Sequence, residues 1–195
     1  MTVILASTSP TRQLLLTNAG VTFVTARPDV DEDRLRSANP QWRPDDVAPA
    51  LAQAKAVAVS GLRPDALVLG ADQTLICDHR LYAKPRDEAD AREQLTALRG
   101  RTHILHSALC CARNGIAVWR HEARAELTMR EWSPAFLDQY VAKLGADILT
   151  TVGGYKIEGL GLQLFSHISG DHSVILGLPL LPLLEFLRSE GEIAS

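Results

Sequence analysis

The chain has few cysteines and no excess of positive charge. Three cysteines occur among its 195 residues, two of them adjacent at Cys110 and Cys111, and there is no CxxC motif. Adjacent cysteines rarely bridge and an odd number leaves one over, so we predict reduced thiols, as in a cytosol. The 20 Lys and Arg against 23 Asp and Glu give a formal charge of −3. This balance argues against a protein that coats nucleic acid nonspecifically, because such proteins carry a basic stripe, but it permits a small anionic substrate bound by local positive charge.

Long hydrophobic runs are also missing. The N-terminal apolar run, residues 3–6, has no basic region before it and is too short for a signal peptide. The most apolar stretch, residues 174–187, contains a glycine, two prolines and a glutamate, and it is shorter than the ~20 residues that a membrane span needs. We therefore expect a soluble, cytoplasmic protein.

Two familiar catalytic motifs do not occur. Without a GxxxxGK[ST] loop, a P-loop nucleotidase is not expected. Without a GxSxG elbow, and with no histidine near Ser7 or Ser9 in the sequence, a serine nucleophile is not expected either. His103 and His106 are three residues apart in a predicted strand, so they face opposite sides and cannot chelate one ion together.

Hydrophobic patterning predicts strands that alternate with helices. Strands are predicted at 3–6, 21–26, 66–77, 80–84, 102–113 and 116–128. Helices are predicted at 10–20, 45–60, 87–98, 134–143 and 179–188, with a polar, acidic loop at 27–39. Because Asn114-Gly115 also indicates a hairpin, we expect a mixed α/β sheet rather than a purely parallel one. The length of the chain permits one large domain or two small lobes.

The segment LASTSPTR (residues 5–12) leads from a predicted strand into a helix. A helix N-terminus offers free N–H groups and a positive dipole end, which suits a phosphate. Arg12 lies in the first turn, where it can aim at the same anion. The alternative is a capped surface helix with a solvated arginine.

Two acids are candidates for metal binding or general-base catalysis. Asp72 follows an apolar strand and Gly70, so it is a candidate metal ligand or general base, although acids in such positions often only cap helices. Glu32 lies in the acidic loop and is a candidate if the fold brings it to Asp72, because two carboxylates can then share Mg²⁺.

Two lysines are unusual in their settings. Lys55 lies among alanines and valines on a predicted helix, and Lys84 precedes Pro85 at a strand end. Either could be an ordinary surface lysine whose stem lies along apolar surface.

Together these segments resemble the Maf family, the septum-formation-inhibitor-like nucleoside triphosphate pyrophosphatases. The similarity rests on short blocks that occur in family order over nearly the whole chain. They are LASTSPTR (5–12), VDE (30–32), AQAKA (52–56), GADQ (70–73), KP (84–85), GYKIEG (154–159) and GLPL (177–180).

The resemblance implies a single domain over residues 1–195, with a mixed α/β sheet flanked by helices and two lobes around a central cleft, as in Maf and ITPase proteins. It implies cytosolic hydrolysis of the α–β phosphate bond of a nucleoside triphosphate, with Mg²⁺ or Mn²⁺ as the divalent metal. On the family pattern, Asp72 is the proton acceptor, Glu32 is the second acid, and Lys84 is a further catalytic residue that binds phosphate. We predict that Glu32 and Asp72 share the metal. The predicted substrate-binding residues are Ser7, Thr11, Arg12, Lys55, Gln73 and Glu158.

Three positions distinguish branches of the family, and here they hold Thr11, Gln73 and Glu158. The last two resemble the branch that prefers 7-methyl-GTP, whereas Thr11 departs from the bulkier residue of that branch. A glutamate suits guanine because N1–H and N2–H are neighbouring donors that one carboxylate accepts. Methylation at N7 makes the base cationic, so an acid and an aromatic face such as Tyr155 favour it. The alternative is that Glu158 pairs with Lys156.

Two other functions stay open at this stage: a broad-specificity pyrophosphatase for noncanonical nucleotides, and a non-catalytic regulator of septum formation. The joint presence of Asp72, Glu32, Lys55 and Lys84 favours an enzyme, because a pure binder needs no pair of acids beside phosphate-binding cations. We expect a nucleotide as the partner, no stable nucleic-acid complex and no membrane contact, and a homodimer is one option for the oligomeric state.

Overall fold

A seven-stranded sheet is the framework of the fold in the computed structural model, which describes residues 3–194. The strands are β1 (Val3–Ala6), β2 (Phe23–Thr25), β3 (Leu67–Cys77), β4 (Arg80–Tyr82), β5 (Thr102–Arg113), β6 (Ile116–Met129) and β7 (Phe165–Ser169). The helices are α1 (Pro10–Asn18), α2 (Glu32–Ala38), α3 (Pro44–Gly61), α4 (Glu88–Leu98), α5 (Pro134–Leu144), α6 (His172–Ile175) and α7 (Leu180–Ser189). Short 3-10 helices cover Gly145–Leu149, Val152–Gly154 and Leu160–Leu164.

The sheet is mixed, as the alternating elements and the hairpin predict. Its strand order is β2-β1-β3-β5-β6-β7, and β4 pairs with β3. Strand β1 runs parallel to both β2 and β3, whereas β4 pairs antiparallel with β3 and β7 pairs antiparallel with β6. In the described part of the chain, no helix has the length and apolarity to cross a membrane.

The acidic segment 27–39 differs from its prediction as a loop, because Glu32–Ala38 forms α2. Asp31 caps this helix: its side chain accepts a hydrogen bond from the Arg34 amide at 2.9 Å. Glu32 and Asp33 occupy the first turn, where the helix dipole favours negative charge. The acidic residues that favour a loop by their composition are therefore also typical of the N-cap and first turn of a helix.

The chain divides into two compact units. The first combines Met1–Gln73, His106–Arg124 and Asp171–Ser195, as far as these are described, and the second combines Thr74–Leu105 and Ala125–Gly170. The single domain over 1–195 and the cleft between two lobes stay predictions.

In the first unit, helices cover both faces of the sheet. On one face, α1 and α7 bury Leu16, Leu183 and Leu187 against strand residues such as Leu5 and Leu69. On the other face, alanines of α3 pack against small residues of β5; these are Ala48, Ala52, Ala56, Ala108, Cys110 and Ala112. The two faces follow from the alternation of side chains along each strand.

Helix α3 lies directly against β3 at Gly70. A Cβ atom added to Gly70 would lie 2.2 Å from the Ala52 carbonyl oxygen and 2.7 Å from the Ala56 nitrogen. Only glycine permits this approach of a helix backbone to a strand. The approach also sets the distance between Lys55, which precedes Ala56, and Asp72, which is two residues beyond Gly70 and so on the same face of β3.

Gly70→Ala is expected to lower the free energy of unfolding by about 3 kcal/mol, because the backbone of α3 must move away from β3. Gly61→Ala, in the same helix, is the matched control, since nothing lies within 4 Å of its added Cβ. That control is expected to be neutral or stabilising by about 0.5 kcal/mol, because alanine favours helix. Urea unfolding of both variants measures the difference, and equal stabilities would contradict the close packing.

Candidate functional site

The side chain of Lys55 joins the two predicted carboxylates. Its Nζ atom lies 2.6 Å from Asp72 Oδ1 and 2.8 Å from Glu32 Oε1. Lys55 and Asp72 are buried, with 8% and 7% of their surface exposed, whereas Glu32 is half-buried. The fold thus brings Glu32 and Asp72 to the same ammonium group. Glu32 is a candidate for the site only if it lies near Asp72, and this arrangement meets that condition.

Asp72 lies within β3, in agreement with the strand predicted at 66–77, and not directly after a strand. The strand continues past it to Cys77, because Leu75, Ile76 and Cys77 pair with β4. Strand residues therefore precede and follow Asp72, and its carboxylate faces α3.

Burial and charge act on Asp72 in opposite directions. Burial raises the pKa of its carboxyl above the ordinary value, Lys55 and Arg12 act to lower it, and Glu32 acts to raise it. Glu32 is also within 3.5 Å of Arg36, one turn along α2. A buried carboxylate with a raised pKa and specific cationic partners is typical of functional sites.

Arg12 is anchored by protein groups and is not the solvated arginine of the alternative interpretation. Its Nε donates to the Gly177 carbonyl at 2.9 Å, and its Nη1 donates to the Ala71 carbonyl at 3.0 Å and to Ser7 Oγ at 3.4 Å. Burial lowers the pKa of its guanidinium, while Asp72 and Glu32 act in the opposite direction. An arginine keeps its charge in proteins, so the anchored guanidinium remains a cation.

The start of α1 follows its sequence prediction. Ser9 is the N-cap, its side chain accepts a hydrogen bond from the Arg12 amide at 3.4 Å, and Pro10 occupies the first helical position. Thr11 is half-buried in the same turn. Ser7 is buried just before the helix, and its hydroxyl also accepts from the Ser9 amide at 3.2 Å.

The structure brings some predicted site residues together and places others in the second unit. Within the first unit, Lys55 contacts Glu32 and Asp72, Arg12 contacts Ser7 and the Ala71 carbonyl next to Asp72, and Gln73 follows Asp72 on β3. Lys84 and Glu158 belong to the second unit, and both are exposed.

Glu158 lines a cavity of about 210 Å³ in the second unit. The lining residues are Leu144, Asp147, Gly154, Tyr155, Lys156, Glu158, Gly159, Leu160 and Gly161. Lys156 Nζ pairs with Asp147 Oδ2 at 3.5 Å, so the lysine that the alternative interpretation assigns to Glu158 has a different partner.

Tyr155, in the wall of this cavity, is held by His103 of β5. The imidazole Nε2 lies 2.7 Å from the Tyr155 hydroxyl, and the Phe165 ring packs edge-on against Tyr155 at 4.8 Å between centroids. Burial lowers the pKa of His103 to about 4, so the ring is neutral at physiological pH. His106 has its own partner, Glu122 at 3.0 Å, in keeping with the prediction that the two histidines do not act together.

Sequence reasoning missed the groups that hold the predicted residues in place. These are the Gly177 and Ala71 carbonyls, which bind Arg12, and His103, which binds Tyr155. Backbone carbonyls leave no residue-type signal, and His103 lies 52 positions from Tyr155, so nothing local in the sequence pairs them.

The two carboxylates around Lys55 could supply part of the ligand set of a divalent cation. Among residues 3–194, no group of three or more His, Cys, Asp or Glu side chains is arranged to hold a metal ion. Glu32 and Asp72 nevertheless converge on one cationic nitrogen. Because Mg²⁺ is usually bound by one or two carboxylates together with substrate phosphates and water, this pair fits an ion that enters with an anionic substrate.

Sequence comparisons agree on a family. The sequence matches the family model described as Maf-like protein over residues 2–190. It is 48% identical over 193 residues to a protein of Rhizobium meliloti (strain 1021) named 7-methyl-GTP pyrophosphatase, covering 98% of this chain and 97% of that protein. A protein of Mesorhizobium japonicum with the same name is 49% identical over 193 residues, with 98% and 97% covered. A protein of Rhodopseudomonas palustris (strain ATCC BAA-98 / CGA009), named nucleoside triphosphate pyrophosphatase, is 48% identical over 192 residues, with 98% and 95% covered.

The buried His103 makes stability depend on pH. Its pKa is about 4 in the folded protein, against 6.5 for an ordinary histidine. Between these values the unfolded chain binds a proton that the folded protein does not, so stability falls as the pH falls from 6.5 to about 4. The contribution is on the order of 3 kcal/mol over the whole window.

Urea unfolding at pH 7, 6, 5 and 4 measures this dependence. His103→Phe removes the titrating group and is expected to flatten the pH dependence relative to the wild type. Tyr155→Phe removes the hydrogen bond but keeps the imidazole buried, so the steep dependence should persist in that variant. Equal slopes for wild type and His103→Phe would contradict the assignment.

Proposed function

The chain belongs to the Maf-like protein family, and from this premise we propose that it is a nucleoside triphosphate pyrophosphatase. The reaction would hydrolyse the α–β phosphate bond and give a nucleoside monophosphate and pyrophosphate. One observation carries the proposal: the Asp72 and Glu32 carboxylates converge on Lys55 Nζ at 2.6 and 2.8 Å, with the anchored guanidinium of Arg12 bound to the neighbouring Ala71 carbonyl. The names of the relatives from three organisms point to the same chemistry.

Arg12, Lys55 and Ser7 are proposed to bind the phosphates. A triphosphate carries roughly four negative charges at neutral pH, so several cationic groups must act together on it. Arg12 contributes a guanidinium charge whose orientation is fixed, because Nε and Nη1 are engaged by the Gly177 and Ala71 carbonyls, and Lys55 acts as a point charge. The N-terminus of α1, capped by Ser9, adds its positive dipole end. Lys84 as a further phosphate-binding cation stays a prediction from the family pattern.

Asp72 is proposed to orient or deprotonate the attacking water. The water oxygen forms a bond to the α-phosphorus, the bond to the bridging oxygen breaks, and pyrophosphate leaves with that oxygen. Burial, which raises the pKa of Asp72, makes its carboxylate a stronger base than an exposed one.

Glu32 and Asp72 are also the residues that would hold Mg²⁺ or Mn²⁺. When bound there, the ion supplies positive charge against the phosphates and the leaving pyrophosphate. Asp72 as base and Asp72 as metal ligand are both compatible with its contacts.

We further propose a preference for 7-methyl-GTP or another modified nucleotide, with Glu158 as the group that recognises the base. Glu158 and Tyr155 line the same cavity, and a carboxylate beside an aromatic residue suits a cationic purine with two neighbouring donors. The engagement of Lys156 by Asp147 supports this role for Glu158.

A nucleotide panel tests the proposed activity. We expect the wild type to release pyrophosphate in the presence of Mg²⁺, and Asp72→Asn to lower kcat by about 100-fold or more, the usual scale for loss of a general base. Asp65→Asn, at an exposed aspartate before β3, is the matched control and should retain wild-type turnover. Near-normal turnover of Asp72→Asn would rule out both of its proposed roles, and a wild type that releases no pyrophosphate from any nucleotide would favour the non-catalytic regulator.

Glu158→Gln tests base recognition separately. We expect the ratio of kcat/KM for 7-methyl-GTP over that for UTP to fall by about tenfold, since a neutral amide no longer accepts both guanine donors or attracts a cationic base. Glu93→Gln, at an exposed glutamate of α4, is the control and should leave the ratio unchanged. Faster hydrolysis of UTP and dTTP than of 7-methyl-GTP by the wild type would refute the preference, and a flat profile would favour the broad-specificity alternative.

A further inference from the structure

Gln73 and Ser107, on β3 and β5, bind the short helix α6 through its carbonyl groups. The Gln73 amide nitrogen lies 2.9 Å from Ser107 Oγ and 3.0 Å from both the Val174 and the Ile175 carbonyl oxygens. Ser107, which is fully buried, donates its hydroxyl proton to the Val174 carbonyl at 2.8 Å. One amide proton therefore serves Ser107 Oγ, the other is shared by the Val174 and Ile175 carbonyls, and the Ser107 hydroxyl proton goes to the Val174 carbonyl.

The turn that follows α6 also holds Arg12. Gly177 has φ +84°, a backbone conformation that favours glycine, and its carbonyl accepts from Arg12 Nε at 2.9 Å. A Cβ added at Gly177 would lie 3.3 Å from Arg12 Nη2 and 3.5 Å from Gln73 Cδ. A side chain at position 177 would thus press against both Arg12 and Gln73.

The orientation of the guanidinium is set by two carbonyls. Nε is fixed by Gly177 and Nη1 by Ala71, both within 3.0 Å. The Ala71 carbonyl belongs to β3 and cannot move without the sheet. The Gly177 carbonyl belongs to a turn, and its position depends on what holds α6, the helix directly before it.

We propose that Gln73 and Ser107 are positioning residues for Arg12: they fix the turn 174–177, and its Gly177 carbonyl aims the guanidinium at the phosphates. This inference rests on the proposed function. It gives Gln73 a role on the phosphate side of the substrate, so its loss should weaken the binding of every nucleotide alike. A residue that reads the base would instead change the preference among nucleotides.

The predicted effect is on binding rather than on the chemical step. An anchored cation that contacts phosphate in both the bound and the transition state contributes uniform binding, and its displacement raises KM while kcat stays closer to normal. Ser107→Ala and Gln73→Met, which keeps the length of the side chain without its donors, are each expected to raise KM by about tenfold. The increase should be the same for 7-methyl-GTP, GTP, UTP and dTTP.

Inorganic tripolyphosphate, which has no base, provides a readout independent of catalysis. Titration calorimetry should show that Ser107→Ala and Gln73→Met bind it about tenfold more weakly than the wild type. Ser60→Ala is the matched control: Ser60 is also fully buried and its Oγ accepts one hydrogen bond, from the Gly115 amide at 3.0 Å, so its loss should lower stability without changing KM. Ser107→Thr keeps the hydroxyl and should retain more of the affinity than Ser107→Ala.

The outcomes separate this inference from the proposed function. If Gln73→Met changes the ratio of kcat/KM among nucleotides while its tripolyphosphate affinity stays at the wild-type value, Gln73 reads the base and the inference is wrong. The inference also fails if the wild type is active and Ser107→Ala behaves like Ser60→Ala in both assays. A wild type that neither releases pyrophosphate nor binds tripolyphosphate would overturn the proposed function, and the inference with it.

Discussion

The rest of the site depends on the ammonium group of Lys55, which is buried between the carboxylates of Asp72 and Glu32. Removing Lys55 and Asp72 from water is costly, and the buried ammonium group is tolerated because the carboxylates of Asp72 and the half-buried Glu32 both lie within hydrogen-bond distance of it. Such a cluster requires the elements that carry it to approach closely. The alanines of α3 and the glycine at position 70 allow that approach, since no side chain separates the helix backbone from β3 at this point. The packing of small residues is therefore the structural condition for the buried charges.

Three consecutive residues of β3 contact three different helices or turns of the site. Along β3, the Ala71 carbonyl binds Arg12 of α1, the Asp72 side chain binds Lys55 of α3, and the Gln73 side chain binds α6. Successive side chains of a strand point to opposite faces, so Asp72 and Gln73 reach different sides of the sheet. Three adjacent residues thereby link groups that are far apart in the sequence. The short block GADQ consequently takes part in more of the site's contacts than its length suggests.

The parts of the site that were predictable have local sequence signals. Lys55 is unusual among alanines, Asp72 follows an apolar run and a glycine, and Ser9-Pro10 is a typical helix start. The position of Glu32 was harder to predict, because the acidic composition around it suits both a solvated loop and the capped first turn of a helix. The Gly177 carbonyl could not be predicted from the residues, since it binds Arg12 across 165 positions of sequence through a backbone atom that every residue has. The same holds for the pair of His103 and Tyr155, which only the folded chain brings together.

The two carboxylates of the site are carried by segments of very different local stability. Asp72 is in a strand in which nearly every residue is buried, and α3, which carries Lys55, has eight buried residues, whereas α2, which carries Glu32, has none. A helix without buried residues can unfold locally at a small cost in free energy, and its amide hydrogens exchange with solvent long before those of the core. Asp72 is consequently as rigid as the sheet itself, while Glu32 is carried by a segment that can open and re-form without disturbing the hydrophobic core.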